Sequence, residues 1–335
     1  MKQPRLRLLR RFWYDLRRFW YGIQDPNSLP MLAFALRNRS HAHANPPDRA
    51  MQPHRDEIEA PRIPRHEPLF DPSWPHVPKV VFQTWKSRTQ VPSNFSVWSK
   101  SFRQHNPQYD CIIWDDLDNR EFMTEQFPWF LPFYDRYPKD IFRVDAVRYF
   151  FLYKFGGLYA DMDTECLKAL DPILELGDAI VGRMGTDKKH EHSIPNAMMA
   201  AKRRHLIWLL AVAIMIEKFW ECGTPDEMAR RGPETLTGPI VLKNTVDFYM
   251  VAPEPEVRKR AGWVIDQVSA AGLPPPLSGN VKILARELWY PVDWTNPFHE
   301  AFRQTLAAKK IVLNTEQTAR LFPDSYLVTY WSHSW

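Results

Sequence analysis

The sequence contains little cysteine, no apolar segment long enough to cross a bilayer, and almost no charge excess beyond its first residues. The three cysteines, Cys111, Cys166 and Cys222, are far apart and form no CxxC pair. This argues against a zinc site or a disulfide framework and favours a reducing compartment. The longest apolar run, Leu206 to Ile216, has eleven residues and predicts a buried helix rather than a membrane span.

A net excess of positive charge is confined to the N-terminal part of the chain. The formal net charge is +5, yet residues 1–20 contain seven basic side chains and one acid and so carry +6. The remaining 315 residues therefore sum to about −1. An enzyme that acts on nucleic acid usually carries a basic stripe on its folded domain, so this distribution argues against a nucleic-acid partner.

The abundant residue types are tryptophan, with 14 residues, and proline, with 30. In residues 1–24, apolar and aromatic side chains recur at three- and four-residue steps, and arginines occupy much of the other face. This pattern predicts a basic amphipathic helix that binds an anionic membrane surface, although a helix packed on its own domain is the alternative. Residues 25–77 are rich in proline and predict a linker or a strap along the folded domain at 78–335.

From Pro78 onwards, short apolar runs alternate with amphipathic segments. This alternation predicts an α/β fold with a Rossmann-like, mostly parallel sheet flanked by helices, and ligands outside the carboxyl ends of its strands. The expected elements are strands at 79–85, 109–114, 158–162 and 179–181, helices at 93–104 and 140–155, and an acidic loop at 115–118.

The most informative motif runs from Asp145 to Asp163 and reads DxxRYxxLYxxGGxYxDxD in its main positions. Its two glycines predict a left-handed turn that leads from the helix directly into a strand. Asp161 and Asp163 would then project from the same face of that strand. Two carboxylates at a strand end can hold Mn²⁺ or Mg²⁺ and leave coordination positions open for phosphate oxygens and water.

The helix before this strand adds a second pair of charged residues. Asp145 and Arg148 are three residues apart and therefore share a helix face. Asp145 can accept hydrogen bonds from sugar hydroxyls, and Arg148 can bind a phosphate or fix Asp145 in place.

The complete motif resembles the DxD-containing sugar-binding glycosyltransferases, a family with fungal mannosyltransferases and bacterial capsule enzymes among its members. The resemblance covers roughly residues 78–335 and implies a GT-A fold, a nucleotide-sugar donor, a divalent metal and retention of anomeric configuration. Transferred by motif, it assigns catalytic roles to Asp145, Arg148, Asp161 and Asp163. The further positions that it implies are Trp85, Tyr159, Ser334 and Trp335 for the donor, Ser334 or His333 for the metal beside Asp161 and Asp163, and Asn196 on the acceptor side.

The resemblance leaves the substrates open. The resemblance favours GDP-mannose as the donor, with UDP-glucose or UDP-galactose close behind. The choice stays open because the size of the pocket at a few side chains decides it. The expected acceptor is a glycan or a lipid, and transfer to a polysaccharide or a protein is an alternative. The family's fungal members usually work in the Golgi behind a membrane span; without such a span, this chain is expected to act peripherally at the cytoplasmic face of a membrane.

Two other classes of protein could contain the same acidic residues. A metal-dependent phosphohydrolase would need further Asp or His ligands in separate motifs, and a carbohydrate- or membrane-binding protein without activity would not need the intact acids. His190 and His192 flank Glu191, but the lysines before them predict an exposed loop rather than a metal cluster. Trp263, Trp289 and Trp294 are expected in the core or in the walls of an acceptor cleft, and the turn at 237–239 is expected to shape that cleft.

Overall fold

The computed structural model describes residues 30, 31, 33, 65–68, 76–308 and 313–332. Two sheets organise this part of the chain. The strands are β1 (Val80–Thr84), β2 (Asp110–Trp114), β3 (Gly157–Ala160), β4 (Thr164–Cys166), β5 (Ala179–Gly182), β6 (Met198–Ala201), β7 (Val281–Leu284) and β8 (Leu327–Thr329).

Helices surround the sheets. In chain order they are α1 (Ser93–His105), α2 (Asp116–Gln126), α3 (Leu131–Tyr134), α4 (Asp140–Lys154), α5 (Asp171–Leu174), α6 (Leu206–Cys222), α7 (Pro225–Arg231), α8 (Pro233–Leu236), α9 (Pro239–Val251), α10 (Glu254–Arg260), α11 (Gly262–Ala270), α12 (Arg286–Trp289), α13 (Pro297–Ala308) and α14 (Thr315–Leu321). A 3₁₀ turn at Pro128–Phe130 precedes α3.

The main sheet has six strands in the order β2-β1-β3-β6-β5-β7. β1 pairs in parallel with β2 and β3, and β5 pairs in parallel with β7. β6 runs antiparallel to both of its neighbours, so its first residues lie at the edge where β3 ends. The α/β fold with a mostly parallel sheet is therefore confirmed. β4 and β8 form a separate antiparallel pair.

Both faces of the main sheet are covered, which explains why most residues of its strands are apolar. Phe82 and Tyr159 belong to a core that includes α4 and α6, whereas the preceding residues Val81 and Leu158 belong to a second core with α5 and α12. This alternation is the two-residue period of a β-strand. Within the described residues, no helix combines the length and the apolarity needed to cross a membrane.

Two local predictions are wrong. The third strand ends at Ala160, so Asp161 and Asp163 lie in a turn after the strand and not within it. Residues 115–118 are not a loop, because Asp115 caps α2 by accepting a hydrogen bond from the Asp118 backbone, and the Asp118 side chain accepts one from the Asp115 backbone. Local capping chemistry converts this acidic segment into the start of a helix.

The predicted N-terminal helix at 1–24 lies outside the described residues, and so does most of the segment 25–77. A few residues of that segment contact the folded domain. The Met31 side chain is fully buried in a core cluster, the Arg65 guanidinium pairs with Glu125 of α2, and the Trp114 indole donates a hydrogen bond of 2.8 Å to the His66 carbonyl oxygen.

The glycine pair after α4 allows a tight connection to β3, and it provides a stability test. Gly157 has a φ of +87°, and an added Cβ would lie 2.6 Å from the Val80 carbonyl oxygen. We expect Gly157→Ala to lower the free energy of unfolding by about 3 kcal/mol, because left-handed strain and a backbone clash act together. Gly262→Ala is the control, since no atom lies within 4 Å of its added Cβ. Urea unfolding measures both, and equal effects would contradict the prediction.

Candidate active site

A cavity of about 290 Å³ opens at the edge of the main sheet where β3 ends and β6 begins. It brings together four of the predicted site residues from α4 and from the turn after β3. The residues that line it are Ile141, Asp145, Arg148, Asp161, Asp163, His192, Pro195, Asn196, Ala197, Pro233, Glu234, Pro239, Trp294 and Trp331.

Asp161 is fixed by backbone hydrogen bonds on both sides and by a buried tyrosine. Its backbone N–H donates to the Ala197 carbonyl oxygen at 2.9 Å, just before β6, and its carbonyl oxygen accepts from the Thr164 N–H at 3.0 Å. The Tyr159 hydroxyl, buried beneath it, donates to Asp161 Oδ1 at 2.9 Å and lies 3.2 Å from Thr84 Oγ1. Tyr159 therefore positions Asp161 from below.

Asp163 is held by the far end of the chain. Its carbonyl oxygen accepts from the Tyr330 N–H at 3.0 Å, which continues the β4–β8 pairing. Its carboxylate accepts from the Thr329 hydroxyl at 3.3 Å and from the Ser332 N–H at 2.6 Å. Trp331, between these two groups, has a φ of +50° and lines the cavity. The segment after β8 therefore forms part of the site.

Arg148 links Asp145 and Asp161 from within the core. Its side chain is 2% exposed; one terminal nitrogen lies 2.9 Å from Asp145 Oδ1, and the other lies 3.3 Å from Asp161 Oδ1. The second nitrogen also donates to the Asn196 carbonyl oxygen at 2.7 Å. The guanidinium lies over the Tyr159 ring, 4.4 Å from its centroid. This planar fork fixes the relative position of both carboxylates.

Asp145 is nearly as buried as its partner. The Asn196 side-chain amide donates to Asp145 Oδ1 at 2.9 Å, and a Cβ added to Gly238 would come within 3.0 Å of Oδ2. Gly238 follows α8, and the Tyr149 hydroxyl of α4 donates to the Thr237 carbonyl oxygen at 3.0 Å. The turn at 237–239 therefore packs closely against Asp145.

Burial dominates the electrostatics of these acids. It raises the pKa of Asp161 to about 7, while Arg148 acts in the opposite direction and the nearby Asp163 charge adds to the increase. Burial also raises the pKa of Asp145, against the influence of Arg148 and Asn196. The negative charge of Asp163 disfavours ionisation of Asp161, and a cation bound between the two carboxylates would offset this repulsion.

Comparison with known proteins identifies the segment that carries this geometry. Residues 92–178 match the family described as "Glycosyltransferase sugar-binding region containing DXD motif". The resemblance expected from the sequence is confirmed. The matched glycosyltransferase region contains Asp145, Arg148, Tyr159, Asp161 and Asp163, and Asn196 and the segment after β8 lie beyond it.

Three relatives share parts of the chain. It is 45% identical over 98 residues to inositol phosphoceramide mannosyltransferase 3 of Schizosaccharomyces pombe, covering 29% of this chain and 27% of that protein. It is 31% identical over 163 residues to mannosyl phosphorylinositol ceramide synthase SUR1 of Saccharomyces cerevisiae, covering 48% and 41%. It is 30% identical over 102 residues to the initiation-specific alpha-1,6-mannosyltransferase of Saccharomyces cerevisiae, covering 28% and 21%.

These alignments span less than half of each relative's own length. Among solved structures, the PaToxG glycosyltransferase aligns with 76% of this chain and 91% of its own, at 15% identity and a TM-score of 0.37.

The DXD acids fit a hard divalent cation in part. They supply carboxylate oxygens, which Mn²⁺ and Mg²⁺ prefer, and Asp161 Oδ2 makes no hydrogen bond to the described residues. In the described part of the chain, however, no group of three or more His, Cys, Asp or Glu side chains could hold a metal ion. Substrate and water can supply further ligands. The predicted ligands Ser334 and His333 and the predicted donor residue Trp335 lie outside the described residues.

The remaining predicted residues lie in different places. Trp85 is 7% exposed, packs edge-to-face on Phe95 and donates its indole N–H to a backbone oxygen, so it lies in the core and not in the cavity. Its predicted stacking on the donor base stays a prediction. Trp289 is fully buried, Trp263 is half exposed outside the cavity, and Trp294 lines the cavity.

His192 is one of the cavity residues that sequence reasoning missed. It is half-buried beside Trp294, although the lysines before it predicted an exposed loop. No local signal in the sequence marks this contact, because Trp294 is about a hundred residues further along the chain.

Proposed function

We propose that this protein is a retaining, metal-dependent glycosyltransferase that transfers a hexose from a nucleotide sugar to a hydroxyl group of a glycan or glycolipid. The observation that carries the proposal is one cavity lined by Asp145, Arg148, Asp161 and Asp163, all within the matched segment 92–178. Mannose is the first sugar to test, because the names of the relatives describe mannosyl transfer. Transfer of glucose or galactose from a UDP sugar is the alternative.

In this proposal Asp145 binds the transferred sugar. Arg148 and Asn196 hold its Oδ1 atom, so the carboxylate keeps one orientation and can accept hydrogen bonds from sugar hydroxyls. Because Arg148 is buried, we assign it a positioning role, in which its guanidinium holds Asp145 and Asp161 in place for the substrate. An acceptor hydroxyl would attack from the face that the diphosphate leaves, which retains the anomeric configuration.

Asp161 and Asp163 are the residues that would hold Mn²⁺ or Mg²⁺. A bound cation would neutralise the negative charge that grows on the departing diphosphate. Tyr159 keeps Asp161 in place, and Thr329 and Ser332 keep Asp163 in place. Residues 1–24 stay a predicted membrane-surface helix that would bring the site to a lipid acceptor.

The donor and the metal requirement are tested together. The full chain is incubated with GDP-mannose, UDP-glucose and UDP-galactose in Mn²⁺, and release of GDP or UDP is followed. We expect one donor to be turned over, with a rate that falls by about 100-fold or more in EDTA and returns with Mn²⁺. Turnover that EDTA does not change would contradict the metal assignment. If no nucleotide is released from any sugar donor, a binding protein without activity becomes the better reading.

A further inference from the structure

The cavity has a second wall that the proposed donor chemistry does not use. It consists of His192, from the turn before β6, Glu234 of α8, and Trp294, from the segment after α12. We refer to these three residues as the aromatic wall. None of them lies in the matched segment 92–178.

The two rings of the aromatic wall form a stacked pair. Their centroids are 5.2 Å apart and their planes differ by 30°. Burial lowers the pKa of His192, which favours the uncharged imidazole. Its Nδ1 atom is buried and has no hydrogen-bond partner among the described residues. The stacked pair therefore presents largely uncharged ring surface to the cavity.

Glu234 adds an acceptor of hydrogen bonds beside these rings. Its side chain is exposed at the cavity and forms no hydrogen bond or ion pair with the described residues. Its charge adds to the raised pKa of Asp145 and partly opposes the lowering of the His192 pKa, so it lies near both side chains. Its backbone is held in a short helix that ends where the Gly238 N–H donates to the Pro233 carbonyl oxygen at 2.9 Å. The carboxylate is thus available to a ligand from a fixed backbone position.

We infer that the aromatic wall is the acceptor subsite and that it binds a ring with several hydroxyls, either a sugar or a cyclitol. Such a ring has an apolar C–H face, which can stack on Trp294, and hydroxyls on its rim, which can donate to Glu234. The wall shares its cavity with Asp145 and Asp161, so a ring bound there would lie next to the transferred sugar. The assignment of this ring as acceptor rests on the proposed function.

Binding is tested without the donor, so that the result does not depend on turnover. Saturation-transfer NMR is recorded on the full chain with methyl α-mannoside and, separately, with myo-inositol, without nucleotide or Mn²⁺. We expect at least one probe to bind the wild type, and Trp294→Ala to weaken that binding by about tenfold. Glu234→Gln should also weaken it. The matched controls Trp263→Ala and Glu256→Gln, both at exposed positions outside the cavity, should bind like the wild type.

Each outcome decides between the alternatives. If only one of the two probes binds, its identity shows whether the ring is a sugar or a cyclitol. If neither probe binds the wild type, or if Trp294→Ala binds as well as the Trp263→Ala control, the inference is overturned. If binding depends on Trp294 but no nucleotide sugar is turned over, ring binding at the aromatic wall stands, and its role as an acceptor subsite fails together with the proposed function. Within an active enzyme, Trp294→Ala should lower the rate of transfer to the probe by about tenfold, and Trp263→Ala should not.

Discussion

Replacing Asp163 by asparagine should lower the rate of sugar transfer by about 10³-fold at saturating donor and Mn²⁺, because a carboxylate that faces the cavity loses its charge. The amide keeps the shape of the side chain. Its single oxygen can accept from the Ser332 N–H, and its NH2 group can donate to the Thr329 hydroxyl oxygen in place of the bond that Thr329 donates to the carboxylate. Asp161→Asn should have an effect of the same order. The measurement is the initial rate of nucleotide release and of transfer over a range of Mn²⁺ concentrations.

Asp163 is the sharper of the two tests. Asp161 lies 3.3 Å from the Arg148 guanidinium, so its replacement also removes a partner of a buried cation and is expected to reduce stability. No ion pair links Asp163 to a described residue, so Asp163→Asn should unfold close to the wild-type temperature. Asp266→Asn, at an exposed position on α11, is the matched control and should keep full activity. Transfer by a well-folded Asp163→Asn at more than about a third of the wild-type rate would disprove its role.

The sequence predicted those parts of the site that depend on local geometry. Asp145 and Arg148 share a helix face and form an ion pair at 2.9 Å, as their spacing of three indicated. Gly156 and Gly157 both have positive φ angles, as the change from helix to strand required. Asp161 and Asp163 line the same cavity, although they do so from a turn and not from one strand face.

Long-range pairing accounts for most of what the sequence could not predict. Asp163 receives its hydrogen bonds from Thr329 and Ser332, and the β4–β8 pairing that creates this contact has no local signature. The direction of β6 was not predicted either, yet it brings the Asn196 carbonyl oxygen to within 2.7 Å of Arg148. A strand's direction depends on its neighbours in the sheet, which the period of two residues does not reveal.

Aromatic residues were the least predictable, because a tryptophan suits a core and a binding site equally well. Trp85 follows a buried strand, and the position of Phe95 on α1 draws its ring into the core. The residues next to Trp294 in the sequence did not indicate whether it lies in the core or in the cleft. Its place in the cavity depends on His192, which reaches it from another part of the fold.

Arg148 should be the most important single side chain for the stability of the site. Its guanidinium is the cation that lies between two buried carboxylates, and it also donates to the carbonyl oxygens of Asn196 and Val144. Arg148→Met keeps an unbranched side chain but leaves Asp145 and Asp161 without this partner. We expect the free energy of unfolding to fall by about 3 to 5 kcal/mol, measured by urea unfolding without metal.

Two further variants separate the charge of Arg148 from its shape. Arg320→Met removes an exposed arginine that pairs with Glu316 four residues earlier, and it should cost less than about 1 kcal/mol. Arg148→Lys keeps the positive charge, but a compact ammonium cannot donate to Asp145, Asp161 and the Asn196 carbonyl oxygen in the same planar arrangement. Its stability should therefore lie between those of Arg148→Met and the wild type. If Arg148→Met were no less stable than Arg320→Met, the buried carboxylates would not need this guanidinium, and the fixed orientation of Asp145 would require another cause.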